Sequence, residues 1–276
     1  MNILKGIIVS LLILVIPSSE MAIVTLSKSK VNILDERHAY PISQKLGSHG
    51  VDFDNMNNYH SESYNGVGRV LNERKVKGKL MNHVGTGFVI DDHTFLTNAH
   101  VTSEVDGTMS KSSQITFQPN RDGIKKPNEF HAEKIEQIKG LDLVVVHTHE
   151  KMTDKVKPLK IADKSEIKKM KTGDNLHYVG YPRTDYTSNM DRLISRGYFL
   201  NTSDLGLGHR GIITKIKVRT GASGSPIINN KGHVVAINSY SYNPKGYNNS
   251  PYAKSEISGG IMLEGSVLRN INQKKK

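Results

Sequence analysis

The sequence predicts an all-β fold arranged as two units, and three observations carry that expectation. From residue 66 onward, short apolar runs alternate with turns rich in Gly, Asn, Asp and Lys, the pattern of a sandwich or barrel. A charged stretch, 155–171, interrupts the runs and reads as the connection between β units at 66–155 and 172–260. Helical spacing of apolar residues is confined to the end, about 266–273, before a basic tail. In order, the expected strands of the first unit are 85–90, 94–96, 115–117 and 143–146. Those of the second are 176–179, 193–199, 212–218, 226–228 and 234–237.

Ahead of these units lie two segments of different character. Lys5 followed by the mostly apolar run from Gly6 to Pro17 has the basic and apolar regions of a secretory signal. The run is shorter than the roughly 20 residues that span a bilayer. Residues 1–22 are therefore read as a signal peptide and the protein as secreted, with an uncleaved anchor as the alternative. Residues 23–65 are expected to be a propeptide or mobile N-terminal extension, because 52–60 cannot be buried without stranding many polar groups. The first β domain then runs over 66–160 and the second, with the terminal helix, over 161–276.

Composition narrows the chemistry. The 276 residues include no cysteine and no tryptophan, which removes disulfides, thiolate nucleophiles and zinc–thiolate sites. With 38 basic and 26 acidic residues the net charge is +12, favouring electrostatic association with anionic cell surfaces. An aromatic content of 6% leaves few stacking platforms for bases, so no nucleic-acid partner is expected. His147-Thr-His149 lacks an evident third ligand, and no glycine loop carries an attached Lys-Ser/Thr. No metal and no cofactor are expected.

Three segments carry the chemistry. Gly221-Ala-Ser223-Gly sets a serine in a turn whose glycines allow sharp bending and close approach. The amides of Gly221 and Ser223 can there be aimed at a developing oxyanion. Leu96-Thr-Asn-Ala-His100-Val supplies a histidine at a strand end, and Gly140-Leu-Asp142-Leu-Val places a carboxylate at the head of an apolar strand. Serine needs a base, and histidine a carboxylate that holds its tautomer. The order His100, Asp142, Ser223, with gaps of 42 and 81 residues, is that of the two-barrel serine proteases.

Taken with Thr220-Gly-Ala-Ser223-Gly-Ser-Pro226 and Gly180-Tyr-Pro182, these motifs resemble the secreted trypsin-like (chymotrypsin-fold) serine proteases of the staphylococcal glutamyl endopeptidase and exfoliative toxin group, over about 66–272. The resemblance implies two six-stranded antiparallel β-barrels with the active site between them and a C-terminal helix. It implies a serine endopeptidase in which Ser223 attacks, His100 transfers the proton, Asp142 orients the imidazole, and Gly221 and Ser223 form the oxyanion hole. It further implies a monomer acting on a protein or peptide substrate. The expected substrate-binding residues are Val218, Thr220, Asn238, Ser239, Tyr240 and Ser241, the run from 238 pairing with the substrate backbone.

The sequence also departs from the group. Ala222 stands where digestive relatives carry the aspartate that salt-bridges a new N-terminus. Glutamate-specific members carry threonine five residues before the nucleophile and histidine fifteen after it, where this chain has Val218 and Asn238. Glutamate preference is thus not favoured, and Lys217 and Arg219 are expected to point together away from Val218. Two alternatives are a narrow-specificity, exfoliative-toxin-like protease of a host surface protein and an inactive protease-fold binder of anionic cell-surface polymers.

Overall fold

Residues 33–55, 61–123, 125, 128–184, 188–242 and 256–275 are described in a computed structural model. The expected signal peptide, 1–22, lies outside them.

The first barrel is closed by six antiparallel strands: β2 (Val67–Val76), β3 (Lys79–Val89), β4 (Thr94–Thr97), β5 (Ile115–Pro119), β6 (Phe130–Gln137) and β7 (Val144–Thr148), in the order β2-β3-β4-β7-β6-β5. β2 turns into β3 through Lys77 and Gly78, both with positive φ. That is the two-residue hairpin turn whose twist suits the flanking strands. Val70, Val89, Phe95, Phe117, Phe130, Val144 and Val146 fill the interior. The Phe95 and Phe117 rings stack at its centre, 4.3 Å apart.

The second barrel comprises β8 (Asn175–Gly180), β9 (Leu193–Gly206), β10 (His209–Ile216), β11 (Pro226–Ile228), β12 (Val234–Tyr242) and β13 (Ile257–Met262). Its order is β9-β10-β13-β12-β11-β8, closed by pairing of β8 with β9. A shared apolar layer joins the barrels, with Phe88, Leu96 and Val145 meeting Val179, Tyr181, Ile237 and Ile261. The C-terminal helix α3 (Gly265–Lys274) adds Val267 and Ile271, one turn apart, to this layer. The two barrels and the helix are those the resemblance implied.

The N-terminal segment is more structured than its composition suggests. Residues 33–55 form a helix, α1 (Ile33–Leu46), and a short strand, β1 (Phe53–Asn55), that extends the second barrel by pairing with β9. α1 sets Ala39, Ile42 and Leu46 against Leu200, Ile213 and Ile257. β1 lies at an edge, where Asp54 pairs with Arg196 at 2.9 Å and the Phe53 ring turns inward, to Tyr178.

The charged connection also holds a short helix, α2 (Lys164–Lys169), whose capping box joins Asp163 and Glu166 through both backbone amides. β10 ends at Ile216, two residues before the expected strand end. Lys217 and Arg219 therefore follow the strand rather than alternate along it. Lys217 reaches Asp52 at 3.5 Å, whereas Arg219 turns to Glu256 at 2.9 Å.

Candidate active site

β4 delivers its last residues into a 3₁₀ turn, Ala99–Thr102, that carries His100. Asp142 sits in the turn before β7, where Gly140 adopts φ +78°. There the Ile138 amide donates to Leu143 and the Leu141 amide to Ile138. The carboxylate meets His100 at two points. Asp142 Oδ1 accepts from the His100 backbone N–H at 3.0 Å, and Oδ2 lies 2.8 Å from Nδ1. A carboxylate only accepts, so Nδ1 is the nitrogen that donates to it, and in the neutral imidazole the lone pair is on Nε2. The Asp142 side chain is nearly buried and that of His100 is 17% exposed. Asn98 completes the frame by donating from Nδ2 to the Asp142 carbonyl at 2.8 Å and to Ser239 Oγ at 2.9 Å.

Ser223 is half-buried in a turn whose neighbours Ala222, Gly224 and Ser225 are buried. Gly221 and Gly224 have φ of +98° and +86°. A Cβ on Gly224 would stand 2.0 Å from the Thr86 carbonyl oxygen, so glycine is required there by space as well as by conformation. The turn's carbonyls are held one by one. Thr220 O accepts from the Arg183 amide and from Asn189 Nδ2; Gly221 O accepts from Thr86 Oγ1 at 2.8 Å. Ala222 O accepts from the Ser225 amide and Asn238 Nδ2; Ser223 O accepts from the Thr86 amide at 2.8 Å.

In a trans peptide the N–H points opposite the preceding C=O. The Ala222 and Gly224 amides are used, by Arg219 O and Asn238 O. Those of Gly221 and Ser223 donate to no acceptor among the described residues. Both amides lie in the turn that carries Ser223 and are available to an outside oxygen.

The His100 and Ser223 turns meet across Gly85 of β3. Its missing Cβ would stand 2.6 Å from Val101 and 3.2 Å from the Ser223 carbonyl oxygen. Among the described residues no hydrogen bond joins the Ser223 hydroxyl to the His100 imidazole. A catalytic contact of this kind often tightens only when substrate is bound.

The residues expected to bind substrate are dispersed in role. Val218 is buried in the second-barrel core with Phe199, Ile212 and Ala222. Asn238 is buried too, and its Nδ2 braces the Ser223 turn at Ala222 O. Thr220 is exposed beside that turn, while Ser239, Tyr240 and Ser241 are half-buried on β12. A bulge in β12 between Asn238 and Tyr240 leaves Ser239 outside the pairing with β13. The Tyr240 ring lies over Gly259, whose Cβ would stand 2.4 Å from its Cζ.

Neither nearby cation stands alone, since Lys217 pairs with Asp52 and Arg219 with Glu256. Burial pushes the Glu256 carboxyl up, against the pull of Arg219. Among the described residues no group of three or more His, Cys, Asp or Glu is placed to hold a metal ion.

Three contributors to the site escaped the sequence reading: Thr86, Asn98 and Asn189. Asn98 stands inside the quoted His100 motif, and Thr86 lies in the expected strand 85–90, far in sequence from the turn it supports. Asn189 lies in the loop between β8 and β9, with no local signal marking it.

Residues 85–237 match the trypsin-like peptidase domain. Exfoliative toxin A of Staphylococcus aureus is 28% identical over 227 residues, which span 77% of this chain and 71% of the toxin. Among solved structures, a Glu endopeptidase superposes with a TM-score of 0.59 at 17% identity, covering 80% of this chain and 95% of that one. The active form of a protease from M. tuberculosis gives 0.54 at 17% identity, covering 77% and 81%. The domain match takes in more than half of the sequence and parts of both barrels, so the chain belongs to the trypsin-like peptidase family and is a serine endopeptidase.

Proposed function

We propose that this enzyme is secreted and cleaves peptide bonds through an acyl-enzyme, with Ser223 as nucleophile, His100 as base and acid, and Asp142 as the orienting carboxylate. The observation that carries the reading is the two-point hold of Asp142 on His100, which fixes the tautomer whose neutral ring has its lone pair on Nε2. The paired unused amides of Gly221 and Ser223 support it.

As the Ser223 Oγ–carbon bond forms, the hydroxyl proton passes to His100 Nε2, and Asp142 stabilises the imidazolium. The carbonyl electron pair collects on oxygen, against the Gly221 and Ser223 amides. Return of the proton to the amine expels it as the C–N bond breaks. Water, activated by the same imidazole, then releases the acid and regenerates Ser223. Strand β12, from Asn238 through Ser239, Tyr240 and Ser241, offers its edge to the extended substrate. Thr220 borders the same cleft.

Glutamate at the cleaved position is not favoured. Val218 and Asn238 are occupied in packing and bracing, and the neighbouring Lys217 and Arg219 already have carboxylate partners. A second reading is an enzyme with one narrow host-surface substrate, favoured by the 28% identity to exfoliative toxin A. Export rests on Lys5 and the apolar run that follows it. The +12 charge would hold the monomer near anionic surfaces.

A fluorophosphonate probe tests the reading, because it reacts only with a serine activated by a base and an oxyanion site. Labelling of the wild type, lost in Ser223→Ala and in His100→Ala, is expected. No labelling in the wild type would overturn the reading and favour a protease-fold binder of anionic polymers.

A further inference from the structure

We propose that Asn189 is a positioning residue for the oxyanion site. Its side-chain amide fixes the Thr220–Gly221 peptide so that the Gly221 N–H faces the reacting carbonyl. The proposal rests on the Ser223 reading above.

The geometry begins with the two protons on Asn189 Nδ2. One goes to the Tyr181 carbonyl at 2.8 Å and the other to the Thr220 carbonyl at 2.9 Å. Tyr181 is a fixed reference point. Its side chain is fully buried, its hydroxyl donates to Arg121 O at 2.8 Å, and its amide donates to Thr86 Oγ1 at 3.0 Å. The Tyr181 carbonyl also decides which way the Asn189 amide faces, because a flipped amide would set Oδ1 against that oxygen. Nδ2 is therefore held toward Thr220 as a donor.

The contact is close enough to constrain sequence. A Cβ on Gly221 would stand 2.2 Å from Asn189 Nδ2 and 2.3 Å from Tyr181 O. Gly221 thus admits the asparagine amide to its own α-carbon, and its φ of +98° is the conformation that results. With Thr220 O turned toward Asn189, planarity sends the Gly221 N–H the opposite way. Reversing this one peptide would turn φ of Gly221 negative, bring its N–H to residue 189 and remove a donor from the oxyanion site. The Ser223 amide is held by separate groups, Ser225 and Asn238 acting on Ala222 O. Asn189, acting on Thr220 O beside the Arg183 amide, thus helps hold one of the two donors and leaves the other in place.

Asn189→Asp keeps the shape and removes both donated protons. Its carboxylate would face two carbonyl oxygens, a repulsion that reversal of the peptide relieves. Asn189→Ala removes the side-chain hold, leaves the Arg183 amide on Thr220 O, and adds no repulsion. In both, kcat is expected to fall by about 10- to 100-fold, short of the 10²–10³ seen when an oxyanion donor is deleted outright. KM should stay within about twofold. Affinity for a peptide aldehyde, whose adduct oxygen occupies the same place, should fall by the same factor as kcat.

The expected crystal structure of Asn189→Asp has a negative φ at Gly221. A φ that stays near +98° with wild-type kcat overturns the proposal. A loss of kcat accompanied by a lower melting temperature, with aldehyde affinity retained, overturns it as well. Failure of the wild type to label with fluorophosphonate would condemn the Ser223 reading instead, and the direction of the Gly221 amide in Asn189→Asp would still decide the role of Asn189.

Discussion

The Thr86 hydroxyl, on a strand of the first barrel, donates to the Gly221 carbonyl of the second barrel at 2.8 Å, and the Thr86 amide donates to Ser223 O at the same distance. Thr86 Oγ1 also accepts from the Tyr181 amide. Thr86→Val preserves shape and leaves two buried backbone groups without this partner. A loss of about 1–3 kcal/mol in unfolding free energy is expected, together with a fall in kcat that exceeds any change in KM. Denaturant unfolding and steady-state kinetics read the two effects separately.

Asp142→Asn should reverse the histidine tautomer. One oxygen remains for the His100 backbone amide, so the new NH₂ faces Nδ1 and forces the proton onto Nε2, where the base is needed. A loss of order 10³–10⁴ in kcat is expected, with the melting temperature little changed. Retention of a tenth of wild-type activity would remove Asp142 from the mechanism.

Two glycines with similar φ separate strain from crowding. Gly224 (φ +86°) would place a Cβ 2.0 Å from Thr86 O, whereas Gly232 (φ +80°) has open space around it. Gly232→Ala should cost about 1 kcal/mol through backbone conformation alone. Gly224→Ala should cost more than about 3 kcal/mol and abolish fluorophosphonate labelling. Equal melting temperatures for the two variants would contradict this account.

Acid should weaken the fold before any carboxylate with a depressed pKa titrates. Burial, with Arg196 nearby, lowers His177 to about 4, and its Nε2 meets the Tyr64 hydroxyl at 2.9 Å. The unfolded chain takes up this proton near pH 6.5 and the folded chain only near 4, so acidification through that window favours unfolding. The contribution is of order 2 kcal/mol. In His177→Gln the drop in unfolding free energy between pH 7.5 and 5 should shrink accordingly. A drop equal to that of the wild type would assign the effect elsewhere.

Removing residues 1–50 should expose the patch formed by Leu200, Ile213 and Ile257 and uncover the Lys215 ammonium. Burial lowers the pKa of that amine, which donates to the Ser43 carbonyl of α1. The shortened protein should melt at a lower temperature and bind an apolar dye more strongly. Unchanged melting would show that α1 contributes nothing to the second barrel.

The strands legible in the sequence were those with uninterrupted apolar runs, such as β7 and β11. β2 was hidden because Arg69, Glu73, Arg74 and Lys75 interleave its apolar residues. One of these, Arg74, is buried, donating to the His100 carbonyl at 3.0 Å. β13 was hidden by Ser258, Gly259 and Gly260, which read as a turn. A Cβ on Gly260 would in fact stand 1.9 Å from Ile237 O, so glycine there marks strands in close contact. α1, with Pro41 inside it, has little helical signal of its own and depends on the barrel surface beneath it. At the site, His100, Asp142 and Ser223 stand out in the sequence because the proposed chemistry demands particular residue types. Asn189 does not, since its role arises from an approach between loops distant in sequence.

The hold of Thr86 on both Gly221 and Ser223 has a consequence for the life of the chain before it is finished. The Ser223 turn belongs to the second barrel, yet among the described residues two of its four carbonyls find their partners in the first. A nascent or partly unfolded chain with one barrel formed would leave that turn unclamped. Hydrolytic competence would then arrive only with docking of the two halves, sparing half-folded copies from digesting one another.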